Sequence, residues 1–99
     1  MNRRKMLATM YGILLKMEKA INEKGMEAYP LVMQLNAAFS KLETRAFGSG
    51  VLTAEEQSFD LARNNLLMRL TQGITEQERE GFRRKAKACM QAVQREVNK

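Results

Sequence analysis

Histidine and tryptophan are absent from this 99-residue chain, and cysteine and proline occur once each. Without histidine, the sequence lacks the usual base of serine and cysteine nucleophile systems and the commonest metal ligand. The lone Cys89 cannot form an internal disulfide or a metal cluster, which excludes a disulfide scaffold and a zinc module. Neighbouring carboxylates fall only in the first turns of predicted helices, where capping is the better interpretation. We therefore predict no enzymatic activity, no catalytic residue, no cofactor and no metal site.

Long apolar runs are also missing. Ten largely apolar residues from Met6 to Leu15 follow a basic cluster, as in a signal peptide, but charged residues begin again at Lys16 and no small-x-small cleavage pattern follows. No stretch approaches the roughly 18 to 20 apolar residues that cross a bilayer. Glu18 and Glu23 disfavour a first helix that lies on a membrane surface. We expect a cytoplasmic protein with a reduced thiol and no membrane partner.

Helical periodicity runs through most of the chain and is cut into four segments by glycines and capping signals. Apolar residues recur at spacings of three and four within residues 3–24, 30–47, 53–72 and 75–97. Thr53 with Glu56, and Thr75 with Glu78, form capping-box patterns at two of the starts. Each segment has one apolar stripe and the connections are short. The sequence therefore predicts an all-α single domain over residues 1–99, a small antiparallel four-helix bundle made of two helical hairpins.

The first helix is more apolar than a bundle helix needs to be. A stripe of about 100° is enough for packing in a bundle, and the apolar arc here is nearly twice as wide. Eight methionines occur in the chain, and methionine suits both irregular cores and adaptable binding surfaces. Burial of the first helix at the centre of the core is the favoured interpretation. In the alternative interpretation, one face of the helix receives another protein or a second copy of the chain. That hypothetical apolar partner face consists of Met6, Met10, Ile13 and Met17.

Positive charge is concentrated in the two terminal helices. The formal net charge is +6, and residues 1–24 and 74–99 contribute +4 and +3. Between Gly81 and Arg95 there are five bases and no acid. If the first and last helices lie side by side, the basic N-terminus approaches Arg95 and Lys99 and makes one end and one face continuously positive. The hypothetical partner-binding or phosphate-binding residues are Arg3, Arg4, Lys5, Arg83, Arg84, Lys87 and Arg95.

Two functions fit these surfaces. The first is a small regulatory or adaptor protein that binds another protein, acidic in character, or a second copy of itself, through the Met-rich face of the first helix and the basic face of the fourth. The alternative is nucleic-acid binding, with phosphates contacted by the basic stripe of the fourth helix and by the N-terminal cluster. A helix-turn-helix is not supported, because Arg69 and Arg79 stand where that motif requires a small and an apolar residue.

Overall fold

The computed structural model describes residues 2–48, 50–72 and 76–99, without the side chains of residues 72, 76, 79 and 82. Within these residues, helix is the only regular secondary structure. The α-helices are α1 (Arg3–Lys24), α2 (Tyr29–Phe47), α3 (Ala54–Gln72) and α4 (Glu76–Val97). The predicted all-α class is confirmed.

The predicted count of four separate helices is not confirmed, because α1 and α2 join without a non-helical residue between them. A 3₁₀ turn, Gly25–Ala28, occupies the expected loop. A straight path from Arg3 to Phe47 would measure roughly 67 Å at 1.5 Å per residue, yet the greatest extent of the molecule is 40 Å. The path therefore turns back on itself, and α1 packs along α2. The turn begins at Gly25, whose φ of 58° suits glycine better than any other residue.

Local signals explain where two of the helices begin. The Asn2 side chain accepts a hydrogen bond from the backbone N–H of Lys5 at 2.9 Å and caps α1. The Thr53 and Glu56 capping box is formed in both directions: the backbone N–H of Thr53 donates to Glu56 at 2.9 Å, and the backbone N–H of Glu56 donates to Thr53 at 3.2 Å. The second predicted box, at Thr75, and the predicted helix end at Gly73 lie outside the described residues.

The core is centred on α1, which contacts α2, α3 and α4. Met10, Leu14 and Met17 are fully buried, and Ile13 is 9% exposed. The hypothesis that Met10, Ile13 and Met17 present an apolar partner face is therefore wrong, and only Met6 of that set is partly exposed. The physical reason is that α1 has neighbours on several sides, so that its wide apolar arc is covered within the chain.

Candidate functional site

An open groove of about 600 Å³ runs between α1 and α4, and we call it the α1/α4 groove. The two helices lie side by side and antiparallel, because Arg3 and Leu7 at the start of α1 line a hollow together with Val97 at the end of α4. The α4 residues that line the groove are spaced three and four positions apart, so they share one face of the helix and form one wall of the groove. Its lining residues are Tyr11, Leu15, Glu18, Asn22, Arg69, Arg83, Lys87, Met90, Gln91 and Gln94.

Among the described residues that line this groove, there are three cations and one carboxylate. Arg83 and Lys87 come from α4, Arg69 comes from the end of α3, and Glu18 is the acidic residue of the lining. The Nη2 of Arg69 donates a hydrogen bond to the Asn22 side-chain oxygen, which fixes the guanidinium at the groove wall. The result is a small basic site with one of its charges held in place.

The surroundings of Arg69 disfavour its charged form. Its pKa lies below the ordinary value, first because partial burial disfavours the charged form, and also because of the nearby positive charge of Arg83, while the Glu18 carboxylate acts in the opposite direction. The guanidinium stays charged at neutral pH all the same. An anion in the groove would offset part of the hydration that the Arg69 guanidinium loses on burial.

Part of the groove lining is apolar. Leu15 is 42% exposed and Met90 is 7% exposed, so that Leu15 offers hydrophobic surface and Met90 closes the bottom. Gln91 and Gln94 add amide groups along the α4 side. From Arg83 to Gln94 the wall is about 16 Å long at 1.5 Å per residue, the length of three helical turns.

The other predicted basic residues do not extend this site. Arg3 lies 3.6 Å from the carboxylate of Glu56 and its guanidinium carbon is 5.6 Å from the centre of the Phe47 ring. Arg3 and Arg4 line a second hollow, at the N-terminal end of α1, together with Lys99 and three glutamates. These glutamates are Glu55, Glu56 and Glu96. Negative charge therefore balances the N-terminal cluster, and the expected continuous positive end is absent from this hollow.

The remaining basic residues of the prediction lie on the surface. Lys5 and Arg95 are exposed. Arg84 is 3.8 Å from Glu80 on the same helix, in an exposed ion pair of the kind that contributes little. Of the seven basic residues expected to bind a partner, Arg83 and Lys87 line the α1/α4 groove, whereas Arg3 and Arg4 line the hollow that they share with glutamates.

Sequence reasoning missed the contribution of α1 and α3 to the groove. Arg69 follows the buried Leu66 by three positions and precedes the buried Leu70, so it stands at the edge of the α3 stripe. This position is the sequence signal for a role of Arg69 in the groove, because a basic residue at the edge of a buried stripe is oriented toward a helix interface. Which helix it meets depends on tertiary packing.

Cys89 does not add a reactive group. The thiol is partly buried against the core. Burial raises its pKa, and the charge of Lys85 only partly opposes that effect. A thiol with a raised pKa has little thiolate at neutral pH, which favours the interpretation of Cys89 as a packing residue.

Comparisons with known proteins add no assignment: no family model, no curated protein and no solved structure matches this chain significantly. Among the described residues, no helix has the length and apolar character needed to cross a bilayer.

Proposed function

We propose that the chain is a small non-enzymatic adaptor or regulatory protein that binds an acidic, amphipathic segment of another protein in the α1/α4 groove. The scaffold of the proposal is a single domain over residues 1–99, arranged as an antiparallel bundle of four helices in two hairpins. The convergence of Arg69, Arg83 and Lys87 beside exposed Leu15 is the observation that carries it.

The mixture of charge and apolar surface selects the ligand class. A free inorganic anion would use the cations and leave Leu15 in water, whereas a helix with carboxylates on one side and leucines on the other would use both. A wall of about three turns matches a short helix of this kind. Complementary charge would also speed encounter with an acidic partner.

Nucleic-acid binding remains a second candidate because of the outward side of α4. Arg84, Lys85 and Arg95 are exposed there, beyond the groove, and Tyr11 in the lining offers a ring for base stacking. The candidate is weaker because acids balance the N-terminal cluster, so that the basic surface is short compared with one that follows a phosphate backbone.

Binding to two defined probes tests the proposal. One probe is a labelled 18-residue helical peptide with glutamates on one face and leucines on the other, and the second is a labelled single-stranded oligonucleotide. The double variant Arg83→Glu with Lys87→Glu changes the groove. The matched control Arg84→Glu with Arg95→Glu makes the same change in net charge on the outward side of α4.

We expect the chain to bind the peptide, and the groove variant to weaken this binding by about tenfold or more, equal to about 1.4 kcal/mol, while the control stays close to the unmodified chain. Failure to bind the peptide, or equal weakening by both variants, would contradict the proposal. Oligonucleotide binding that falls steeply and linearly with the logarithm of salt concentration, and that the control variant weakens, would favour the second candidate.

A further inference from the structure

The outward side of α2 is an exposed surface that the proposed function does not use. Between Glu27 and Lys41 the sequence contains no charged residue. In the described residues α2 contacts α1 and α3 and makes no contact with α4, so this side lies away from the α1/α4 groove. We define the outer face of α2 as eight exposed residues, of which the first lies in the 3₁₀ turn just before the helix and the others in α2 itself: Glu27, Pro30, Leu31, Gln34, Ala37, Ala38, Lys41 and Arg45.

The seven residues within α2 share one side of the helix. Their spacings of three and four are those of a packing face, and they lie opposite the buried Val32 and Phe39. Leu31 is 42% exposed and contributes the largest apolar side chain of this face. Small residues at the centre allow another helix to approach closely.

Apart from Arg45, the positions on this face are spaced symmetrically about one residue, although the residue types differ on the two sides. Gln34 is the centre, and Glu27 and Lys41 lie seven positions before and after it. Leu31 and Ala37 are equidistant from Gln34, and so are Pro30 and Ala38. If a second copy of α2 packs antiparallel about a two-fold axis at Gln34, each large residue therefore meets a small one and each Glu27 meets the partner copy's Lys41.

We propose that the outer face of α2 is a self-association surface and that its partner is a second copy of this chain, packed antiparallel. Charge supports this choice of occupant. Two chains of net charge +6 repel each other. The centre of the face adds nothing to that repulsion because it is uncharged, and the opposite charges of Glu27 and Lys41 set the register. A two-fold axis makes both pairs form at once.

The size of the face sets the expected strength. Eight residues per copy is well below the 20 to 30 per side of a standard interface, so the dimer belongs to the weak, concentration-dependent class. The axis lies on the side of the molecule away from the α1/α4 groove, and the dimer would present two grooves at once. The proposal is independent of the proposed function, because self-association is measured without a ligand.

Sedimentation equilibrium of the full chain at low salt, from about 20 µM to about 1 mM, tests the proposal. We expect a monomer–dimer equilibrium of the 11.3 kDa chain. Lys41→Glu and Glu27→Lys should each raise the dissociation constant about fivefold, because two symmetric ion pairs become repulsive. The combined variant, Glu27→Lys with Lys41→Glu, restores both pairs and should return the constant to within about twofold of the original.

Two control variants separate this register from general effects of charge. Lys16→Glu on α1 lowers the net charge as Lys41→Glu does, and it should leave association unchanged or strengthen it. Ala38→Arg should abolish the dimer, because a long charged side chain then faces the partner copy's Pro30. A chain that stays monomeric at the highest concentration would overturn the proposal. So would a combined variant that fails to restore association, or a dimer that survives Ala38→Arg.

Discussion

At the scale of single residues, the polar group with the clearest consequence for stability is Glu43, between α2 and α3. Its carboxylate is 3.7 Å from the guanidinium of Arg63, and Arg63 also pairs with Asp60. One oxygen of Glu43 is buried without a hydrogen-bond partner. Burial raises the pKa of Glu43, and Asp60 acts in the same direction while Arg63 opposes it. The folded chain therefore binds a proton at Glu43 more tightly than the unfolded chain does.

A raised folded pKa of a carboxyl group fixes the sign of the pH dependence. The folded state binds the proton more tightly than the unfolded state. The contribution of Glu43 to stability is therefore fully present below its pKa in the unfolded chain, and it is lost as the pH rises through its pKa in the folded chain. We predict that Glu43→Gln, which resembles the protonated form, is more stable than the unmodified chain at pH 7. The advantage should shrink as the pH is lowered toward 4.5, the ordinary value for glutamate.

Urea unfolding of both chains at several pH values measures this difference. The exposed Glu23 provides the control, because Glu23→Gln removes a carboxyl group that is not buried. An unfolding free energy of Glu43→Gln that equals or falls below that of the unmodified chain at pH 7 would show that the pair with Arg63 outweighs burial.

At the scale of the helix, the start of α3 depends on the capping box of Thr53 and Glu56. The Thr53 hydroxyl accepts the backbone N–H of Glu56, which otherwise has no partner within the helix. We predict that Thr53→Ala lowers the free energy of unfolding by about 1 kcal/mol. Thr44→Ala is a matched control, because the Thr44 hydroxyl only donates to a carbonyl inside α2. Equal losses in thermal or urea unfolding would refute a specific role for the cap.

Helix boundaries were predictable because caps and glycines act over a few residues. The predicted starts at residues 30 and 53 differ by one position from Tyr29 and Ala54. The join between α1 and α2 was not predicted, since the 3₁₀ conformation of Gly25–Ala28 satisfies the backbone in a segment that also resembles a loop. Short-range signals thus located the helices, whereas the shape of the link between α1 and α2 depended on the packing of the two helices.

The candidate site was predictable only in part, for the same reason. The sequence predicted Arg83 and Lys87 as binding residues of the fourth helix, and the structure brings both into the α1/α4 groove together with Gln91 and Gln94. Arg69 reaches the same groove from another helix, and that contact is tertiary. The sequence showed the width of the apolar arc of α1. It did not show whether other helices of the chain or a partner cover that arc. The central position of α1 decided the question.

At the scale of the whole molecule, the contacts of α1 with α2, α3 and α4 predict a single cooperative unit. Met17 is fully buried on α1, so Met17→Ala should lower the free energy of unfolding by about 2 to 5 kcal/mol. This loss of unfolding free energy should be the same whether unfolding is monitored in the first half or the second half of the chain. If the α1 and α2 pair were stable by itself, the change would be confined to that half.

Two probes in different halves distinguish these outcomes. Fluorescence of Tyr11 and Tyr29 reports on α1 and α2, and reactivity of the partly buried Cys89 thiol reports on α4. In a urea series we expect the two midpoints to coincide in the unmodified chain and to move together in Met17→Ala. The conservative variant Met17→Leu keeps the volume nearly constant and should move both midpoints far less. A Met17→Ala chain whose tyrosine midpoint shifts while the Cys89 midpoint stays in place would mean that two independent hairpins, rather than one domain, hold the α1/α4 groove together.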